Sequence, residues 1–442
     1  MSVRLRLLAL GFVAFGLVAG PVANAKTPPT ATVAKAVRPA SVGFDSERLK
    51  KLDTAMAKVV ADGQVAGMTT LLVRHGKTVA VNSYGVNSLE TNVAMSESSI
   101  VRIYSMSKPL TGVAMMILFE EGKWSLDDPI TKFIPELKNL TVSTGVDDKG
   151  QMITVPVTRP PTMRELMSHT AGFGYGLGNT DPVDKMFRSQ KVFEATGLKD
   201  MVNRVAKVPL KSQPGTKWSY SIAVDLQGYI VEKLSGQSFG DFLQARVFGP
   251  LKMNDTGFST GPDKASRLAE VYLAHPITGK LVTSQSLGSP GQDYTVPPKL
   301  EAGGSGLVST AADYGRFAQM ILNGGELDGV RILAPATVSL MGTNVIPDSV
   351  LVDSNGIGGA RFNSAVGFGL DFAVVNDPRK AGILGGKGEL SWGGLAGTWF
   401  WIDPTNDLYF IGMIQRFGGV SGDDLSGRTR SLVYQALTHP EK

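Results

Sequence analysis

The stretch Ser105-Met106-Ser107-Lys108, followed at once by the apolar segment 109–119, is the most informative part of this 442-residue sequence. Side chains three positions apart share one face of a helix, so a helix starting here would bring the Lys108 amine to the Ser105 hydroxyl. A serine hydroxyl becomes a nucleophile only when a base takes its proton, and a lysine can do so only if burial or nearby positive charge keeps it neutral. A capping serine beside a solvated lysine is the alternative interpretation of this pattern.

Two further stretches carry residues suited to a reaction site. Tyr220 follows the turn signal at 213–215 and directly precedes a predicted helix. A phenol held near a lysine can shuttle protons, because the ammonium lowers the pKa of the phenol; a half-buried tyrosine with a bonded hydroxyl is the structural alternative. Trp392, Gly393 and Gly394 end a predicted strand, where paired glycines let a ligand approach the backbone closely. A bulge or turn between strands explains this third stretch equally well.

Composition excludes several classes of protein. The chain has no cysteine, which rules out disulfides, thiolate metal sites and a cysteine nucleophile. Its four histidines are scattered, so we predict no metal site and no cofactor. The net charge of +5 comes without a basic run, so nucleic-acid binding has no support.

The first 25 residues are typical of a signal peptide. Arg4 and Arg6 precede an apolar run over 7–20, and small residues at 23 and 25 predict cleavage after Ala25. That run is shorter than the roughly 20 residues a membrane-spanning helix needs, and an uncleaved anchor is the alternative. We therefore expect export to a periplasm or the medium, with no stable membrane anchor after cleavage. Residues 26–41 are rich in Pro, Thr, Ala and Val and predict a flexible lead-in.

Strand-like segments lie at both ends of the mature chain. They occupy 68–73 and 78–83, joined by a His75-Gly76 turn, and 389–392, 398–402 and 408–414. Helical patterns occur at 46–62, with Asp45 as cap, and at 425–437, while the middle has helices at 107–121, 163–168, 223–234, 239–247 and 311–322 and a hairpin near 147–150. The pattern predicts an α+β fold, with one antiparallel sheet built from both ends and flanked by helices. The sheet part would cover about 42–104 and 385–442, and a mostly helical part about 105–384.

In their order and separations, the three stretches resemble the motifs of the serine β-lactamase and penicillin-binding protein superfamily, and most of all class C β-lactamase-like hydrolases and family VIII carboxylesterases. Ser105 and Lys108 match the first motif, Tyr220 opens the second, and Trp392 begins the third. Residues 166–172, 251–256 and 303–310 are also similar to this family, and the similarity runs from about 46 to 437. The resemblance implies a β-lactamase/transpeptidase-like domain over 42–442.

Two positions depart from the β-lactamase pattern. Ile222 stands where those enzymes usually carry asparagine, and Trp392-Gly393 replaces a lysine that opens the third motif. An indole in place of a cation favours neutral acyl esters over a substrate carboxylate, although another cation such as Lys387 would compensate. Both departures are shared with family VIII carboxylesterases.

The resemblance implies a two-step acyl transfer without cofactor. Ser105 would attack an ester or lactam carbonyl, Lys108 and Tyr220 would move its proton, and the backbone N–H groups of Ser105 and Leu395 would form the oxyanion hole. Trp392, Gly393 and Gly394 would bind the substrate. A secreted carboxylesterase for small to medium acyl esters is the leading interpretation. A β-lactamase or D-amino-acid peptidase, and a sensor or binding module without turnover, remain alternatives, and the oligomeric state is undetermined.

Two other residues attract attention but are assigned structural roles. Ser259 lies in Gly257-Phe258-Ser259-Thr260-Gly261, which fits the nucleophile elbow of α/β-hydrolases. That elbow needs a strand before it and a helix after it, and both flanks look like loop. His169 lies in one of the stretches similar to the family and is expected to be structural.

Overall fold

The computed structural model describes residues 32–287, 292–352, 362–420 and 424–440. The predicted signal peptide and positions 26–31 of the lead-in lie outside the described residues. Residues 32–38 form no helix or strand, and the backbone N–H of Val37 donates to the carbonyl of Thr78. No helix in the described ranges has both the length and the hydropathy that crossing a bilayer requires.

Helices provide most of the middle of the chain and both outer ends. They are α1 (Ser46–Ala61), α2 (Ser107–Glu120), α3 (Met163–Met167), α4 (Pro182–Ser189), α5 (Leu198–Val205), α6 (Ala223–Ser235), α7 (Phe239–Leu243), α8 (Ala311–Leu322), α9 (Pro335–Met341), α10 (Pro378–Ala381) and α11 (Leu425–Tyr434). The side chain of Asp45 caps α1 by accepting from the N–H of Arg48, as the sequence predicts.

A seven-stranded antiparallel sheet forms the framework. The strands in chain order are β1 (Gly67–Arg74), β2 (Lys77–Gly85), β3 (Val101–Arg102), β4 (Thr141–Val146), β5 (Met152–Pro156), β6 (Lys217–Trp218), β7 (Tyr272–Ala274), β8 (Leu281–Thr283), β9 (Val308–Ser309), β10 (Glu326–Leu327), β11 (Val330–Arg331), β12 (Leu351–Val352), β13 (Val366–Phe368), β14 (Ala373–Val375), β15 (Leu390–Gly393), β16 (Trp399–Asp403) and β17 (Leu408–Ile414). The sheet has the order β13-β14-β15-β16-β17-β1-β2, and the other strands form two-stranded pairs. The pairing of β17 with β1 confirms that both chain ends build one sheet.

The two faces of this sheet bury different layers. Alternate side chains of β1, β16 and β17 point to opposite sides, as the period of two in a strand requires. The outer face, covered by α1 and α11, carries Met68, Leu72, Trp399, Trp401, Phe410 and Ile414. The inner face, covered by α8, carries Leu71, Val73, Phe400, Ile402, Tyr409 and Ile411.

Arg74 forms hydrogen bonds with segments near both ends of the chain. Its buried guanidinium donates to the carbonyls of Val42, Asn406 and His439, at 2.9, 3.1 and 2.8 Å. A buried cation satisfied by several carbonyls fixes geometry that apolar packing alone leaves loose. The sheet therefore closes between segments more than 300 residues apart in sequence.

The predicted α+β class is confirmed by the fold, and the structure differs from the sequence interpretation in detail. The second half of the sheet begins at Val366 rather than near 385, because two further strands, β13 and β14, precede β15. Both are short, and a turn that contains a glycine joins them. Helices α4, α5 and α9 had not been predicted, and they are short, with Pro182 and Pro335 opening two of them. The predicted hairpin near 147–150 joins β4 and β5.

Candidate active site

Ser105 lies in a tight turn directly before α2. The turn is a 3₁₀ segment, Tyr104–Met106, and α2 continues it from Ser107. Tyr104 adopts a left-handed conformation with φ of +43°, which is uncommon for a bulky residue. Strand β3, held by pairing with β9, leads into this turn. The backbone therefore changes direction sharply at the serine and leaves its half-buried side chain at the end of the helix.

Lys108 points back to this serine and is completely buried. Its Nζ lies 3.3 Å from the Oγ of Ser105, 3.3 Å from the hydroxyl of Tyr175 and 2.7 Å from the carbonyl oxygen of Gly304. Helix α2 is buried from Ser107 to Leu118, so the amine cannot turn out to solvent. The interpretation of Lys108 as a solvated lysine is therefore wrong.

Tyr220 completes a Ser-Lys-Tyr cluster, the name used below for Ser105, Lys108 and Tyr220. The phenol hydroxyl donates to the Oγ of Ser105 at 2.7 Å, and the Lys108 Nζ lies 4.5 Å from the centre of the ring. Tyr220 sits three residues before the start of α6, which packs against α2. The two helices thus bring together residues that are 115 positions apart.

The third predicted stretch passes beside the cluster. The Trp392 ring lies 5.6 Å from that of Tyr220, at the end of β15. A Cβ on Gly394 would come within 2.4 Å of the Ile103 carbonyl oxygen, so only glycine fits this approach. The Gly394 N–H donates to Thr398, whereas within the described residues the N–H groups of Ser105 and Leu395 have no acceptor. Leu395 is 56% exposed.

A cavity of about 1240 Å³ opens onto the cluster. Apolar residues dominate its walls, including Tyr104, Leu177, Phe193, Val366, Val375, Ile383, Leu384, Trp392, Leu395 and Val420. Among the described residues that line it, Asp424 and Arg430 are the charged ones. Arg430 is paired at 2.8 Å with the buried Glu389, so its guanidinium already has a partner. Gly393 lines the same wall as Trp392 and Gly394.

Three neighbours of Lys108 were not singled out from the sequence. Tyr175 contacts the amine, and its burial together with the charge of Asp225 raises the pKa of its phenol. Asp225 is completely buried, and burial raises the pKa of its carboxyl to about 6 against the opposing effect of Lys108. Gly304 supplies the closest contact of the amine. The signals in the sequence are a tyrosine between two glycines, an aspartate five residues after Tyr220, and a glycine pair.

The other candidates lie apart from the cluster or take structural positions. His169 is buried, and its Nδ1 lies 2.9 Å from the Oγ of Ser221. Burial, with the nearby charge of Lys108, lowers the pKa of this imidazole well below its usual range. Ser259 follows a single bridge at Gly257 and precedes a 3₁₀ segment, so it has neither the strand nor the α-helix of a nucleophile elbow. Lys387 is exposed and does not line the cavity.

Groups of three or more metal-ligating side chains are absent from the described residues. The Ser-Lys-Tyr cluster itself offers a hydroxyl, an amine and a phenol in mutual contact. Such a set can activate a nucleophile and move its proton over hydrogen-bond distances.

Comparisons with known proteins show which family this chain belongs to. The family model named Beta-lactamase matches residues 52–434. The chain is 35% identical over 381 residues to Protein Rv1367c of Mycobacterium tuberculosis, covering 84% of this chain and 90% of the relative. It is 27% identical to Esterase EstB of Burkholderia gladioli, covering 91% of this chain and 99% of the relative.

A solved structure shares the fold at lower sequence identity. Simvastatin synthase (LovD) from Aspergillus terreus, in its unliganded selenomethionyl form, superposes with a TM-score of 0.75 at 21% identity, covering 88% of this chain and 98% of the other. At this identity the likeness concerns the fold alone. Because the family model matches residues 52–434, well over half of the chain, the protein belongs to the beta-lactamase family and is a serine hydrolase.

Proposed function

We propose that this serine hydrolase is a carboxylesterase that cleaves small to medium neutral acyl esters through an acyl-enzyme on Ser105. The observation that carries the proposal is the contact of the Ser105 Oγ with the Tyr220 hydroxyl at 2.7 Å and the Lys108 Nζ at 3.3 Å, beside a largely apolar cavity. The similarity to EstB, which is named an esterase, supports the same reaction class.

In the first step, the Ser105 Oγ attacks the carbonyl carbon of the ester and gives up its proton. Lys108 and Tyr220 both lie within reach of that proton, so they share the role of base. The same pair then returns the proton to the leaving alcohol as the carbon–oxygen bond breaks. A water molecule attacks the resulting acyl-serine, and its proton follows the same route, which regenerates the free hydroxyl and releases the acid.

The negative charge of the tetrahedral intermediate needs donors that the fold has left free. The backbone N–H groups of Ser105 and Leu395 make no hydrogen bond within the described chain and lie in segments that line the cavity. We assign them as the oxyanion hole. Losing one such donor costs about 3 kcal/mol of transition-state stabilisation, or a hundredfold or more in rate.

The walls of the cavity favour a neutral substrate. Trp392 presents an indole where a β-lactamase would present a cation, and Arg430 is already paired with Glu389. Ile222 is completely buried in the core, so its position adds no polar group to the cavity. Bringing a carboxylate into such a site would remove its hydration without a compensating partner.

The test compares substrates on the purified chain 26–442. A series of p-nitrophenyl esters of increasing acyl length is assayed beside a chromogenic cephalosporin, with Ser105→Ala as control. We expect ester turnover to exceed cephalosporin turnover by at least about a hundredfold, since the latter carries a carboxylate. Cephalosporin turnover above ester turnover would instead identify a β-lactamase, and cleavage of D-amino-acid peptides alone a peptidase.

A sensor or binding module is distinguished by the lifetime of the acyl-enzyme. Intact-mass measurement after mixing with ester reveals the adduct on Ser105. We expect it to disappear within the time of a few turnovers, because the cavity is open to water. A stoichiometric adduct that persists without product release would contradict the carboxylesterase proposal and support the sensor.

We further propose that the enzyme acts in a periplasm or outside the cell after removal of residues 1–25. The support is that basic residues, an apolar run and small residues follow one another in this segment. Expression of the full chain in a bacterial host with an active export system tests it. Mass analysis should give a mature protein that begins at Lys26; an intact Met1 in the cytosolic fraction would oppose export.

A further inference from the structure

Asp225 is a buried carboxyl to which the proposed mechanism gives no task. It lies in the first turn of α6, five residues after Tyr220, and is completely shielded from solvent. Its Oδ2 has no hydrogen-bond partner among the described residues. A buried carboxyl with an unsatisfied oxygen is costly to retain, so its presence beside Lys108 calls for a role other than stability.

The structure connects Asp225 to Lys108 through one residue. The backbone N–H of Gly304 donates to the Asp225 Oδ1 at 3.0 Å, and the carbonyl of the same Gly304 accepts from the Lys108 Nζ at 2.7 Å. This carbonyl is closer to the amine than are Ser105 and Tyr175, each at 3.3 Å. The Gly304 carbonyl therefore provides the shortest contact of the amine, and Asp225 holds the same residue by its N–H, one peptide unit earlier in the chain.

The space around Gly303 and Gly304 is already filled. A Cβ on Gly304 would lie 2.6 Å from the Asp225 Oδ2 and 2.9 Å from the Tyr175 hydroxyl. A Cβ on Gly303 would lie 2.8 Å from the Val224 carbonyl oxygen. The Thr111 hydroxyl of α2 donates to the Gly303 carbonyl at 2.8 Å. The glycine pair thus lies between α2 and α6. Thr111 and Lys108 of α2 donate to its two carbonyls, and Asp225 of α6 accepts from the Gly304 N–H.

We propose that Asp225 is a positioning residue that aims the Lys108 amine at Ser105 by fixing the backbone of Gly304. The proposal rests on the proposed function, in which Lys108 exchanges a proton with Ser105. Without the carboxyl oxygen, the Gly304 N–H is no longer held, the backbone turns about the glycine, the carbonyl that follows leaves the amine, and Lys108 loses the contact that sets its distance from Ser105. The group acts on the rate of proton transfer and not on substrate affinity.

The test uses three substitutions at one position. Asp225→Asn keeps an oxygen that can accept from the Gly304 N–H. Asp225→Leu keeps the branched shape in a larger side chain but removes the acceptor, and Asp225→Ala removes both. With a short-chain p-nitrophenyl ester, we expect Leu and Ala to lower kcat about a hundredfold with little change in KM, because small misplacements of a reacting group have effects of this size. Asn should stay within about tenfold of the parent, as a conservative rescue.

A double variant separates positioning from a general structural defect. If Asp225 acts through Lys108, then Asp225→Ala should cost no more than about twofold when Lys108 is already alanine, since the two effects share one step. Equal multiplication of the two losses would overturn the proposal. So would parent-like kcat in Asp225→Leu, or a hundredfold loss in Asp225→Asn, which tests the proposal even where Ala and Leu fail to fold.

Asp313 offers a matched control. It is also completely buried in the first turn of a helix, accepts a backbone N–H from Asp255 at 2.8 Å, and has one unpartnered oxygen among the described residues. Asp313→Asn should leave kcat near that of the parent, and an equal loss in both Asn variants would overturn the proposal. Failure of the proposed function would look different, because Ser105→Ala would then retain ester turnover whatever stands at 225.

Discussion

On the outer face of the sheet, Trp399 and Trp401 stack on Phe410 under α1 and α11, and most of the buried side chains there are apolar. At the junction of α2 and α6, an equally buried region contains an amine, two phenols and carboxyl groups. Burial stabilises the first region because it removes apolar surface from water, whereas in the second it must be compensated by hydrogen bonds. The first region therefore stabilises the fold. In the second region, burial of polar groups lowers the stability of the fold but places reactive groups in contact.

Among the substitutions that test this difference between the two regions, we expect the largest effect on ester turnover at Ser105. Ser105→Ala removes the nucleophile and should lower ester turnover by at least about 10⁴-fold, while the thermal midpoint stays close to that of the parent. Stopped-flow hydrolysis and intact-mass analysis measure the loss of both turnover and acyl adduct. Ser107→Ala is the matched control, because the Ser107 Oγ accepts from the Leu307 N–H and, among the described residues, makes no hydrogen bond to the Ser-Lys-Tyr cluster. Turnover surviving in Ser105→Ala would remove this residue from the chemistry.

The next effect concerns the two proton-transfer groups. Tyr220→Phe and Lys108→Ala should each slow acylation by about 10²–10⁴-fold, the usual contribution of a positioned acid or base. Pre-steady-state release of p-nitrophenol measures this step. Tyr229 lies on α6 with its hydroxyl at 3.3 Å from Glu136, and the control Tyr229→Phe should keep the parent rate. Parent-like acylation in either cluster variant would exclude that residue as a base.

Trp401→Ala should have the opposite pattern: it should lower the free energy of unfolding and leave kcat unchanged. The ring stacks on Phe410 and Tyr434, with centroids 5.5 and 5.8 Å apart, and is completely buried. Removing so large a side chain should lower the free energy of unfolding by about 3–5 kcal/mol. Urea denaturation measures the loss, and kcat below the transition should match the parent. A reduced kcat with unchanged stability would contradict the division between the two regions.

A smaller effect links pH to stability through Asp313. Burial raises the pKa of its carboxyl from 3.8 to about 6 in the folded chain. The folded state then holds this proton more tightly than the unfolded state, so the associated stability is present below pH 4 and is lost as pH rises to 6. Asp313→Asn should flatten the pH dependence of the free energy of unfolding by up to about 3 kcal/mol across this window. An unchanged pH profile in the variant would show that Asp313 does not contribute to the pH dependence of the free energy of unfolding.

The smallest effect is expected at Ser259. Ser259→Ala should leave both kcat and the thermal midpoint unchanged, because this serine lies in a loop and outside the residues that line the cavity. Hydrolysis of the preferred ester measures it. Complete inactivation would move the chemistry from the Ser-Lys-Tyr cluster to a nucleophile elbow.

Local patterns in the sequence predicted most of the framework. The turn at His75-Gly76, the cap at Asp45 and the strands of both chain ends follow from periodicity and turn chemistry, and the structure places them within a few residues. The short strands β13 and β14 were missed, since three residues cannot display an alternation. The helices α4, α5 and α9 were missed because their stability comes from packing against the rest of the middle part.

The Ser-Lys-Tyr cluster was predictable in its members but only partly in its surroundings. Lys108 follows Ser105 by one helical turn, so their meeting is a property of the local sequence once a helix forms. The meeting of both with Tyr220 was predicted from resemblance and depends on how α6 packs on α2. The contacts of Lys108 with Tyr175 and Gly304 were not predicted, because no local rule connects them.

The sequence by itself determined the chemical groups, the helix that joins serine to lysine, and the strands that form one sheet from both ends. Tertiary structure alone decided which carbonyl faces the amine, which N–H groups remain free, and which charges lie buried nearby. The physical reason is distance along the chain: the contacts of Lys108 with Tyr175 and Gly304 span 67 and 196 positions. Periodicity and turn chemistry act over a few residues, whereas contacts of that range exist only after the helices have packed.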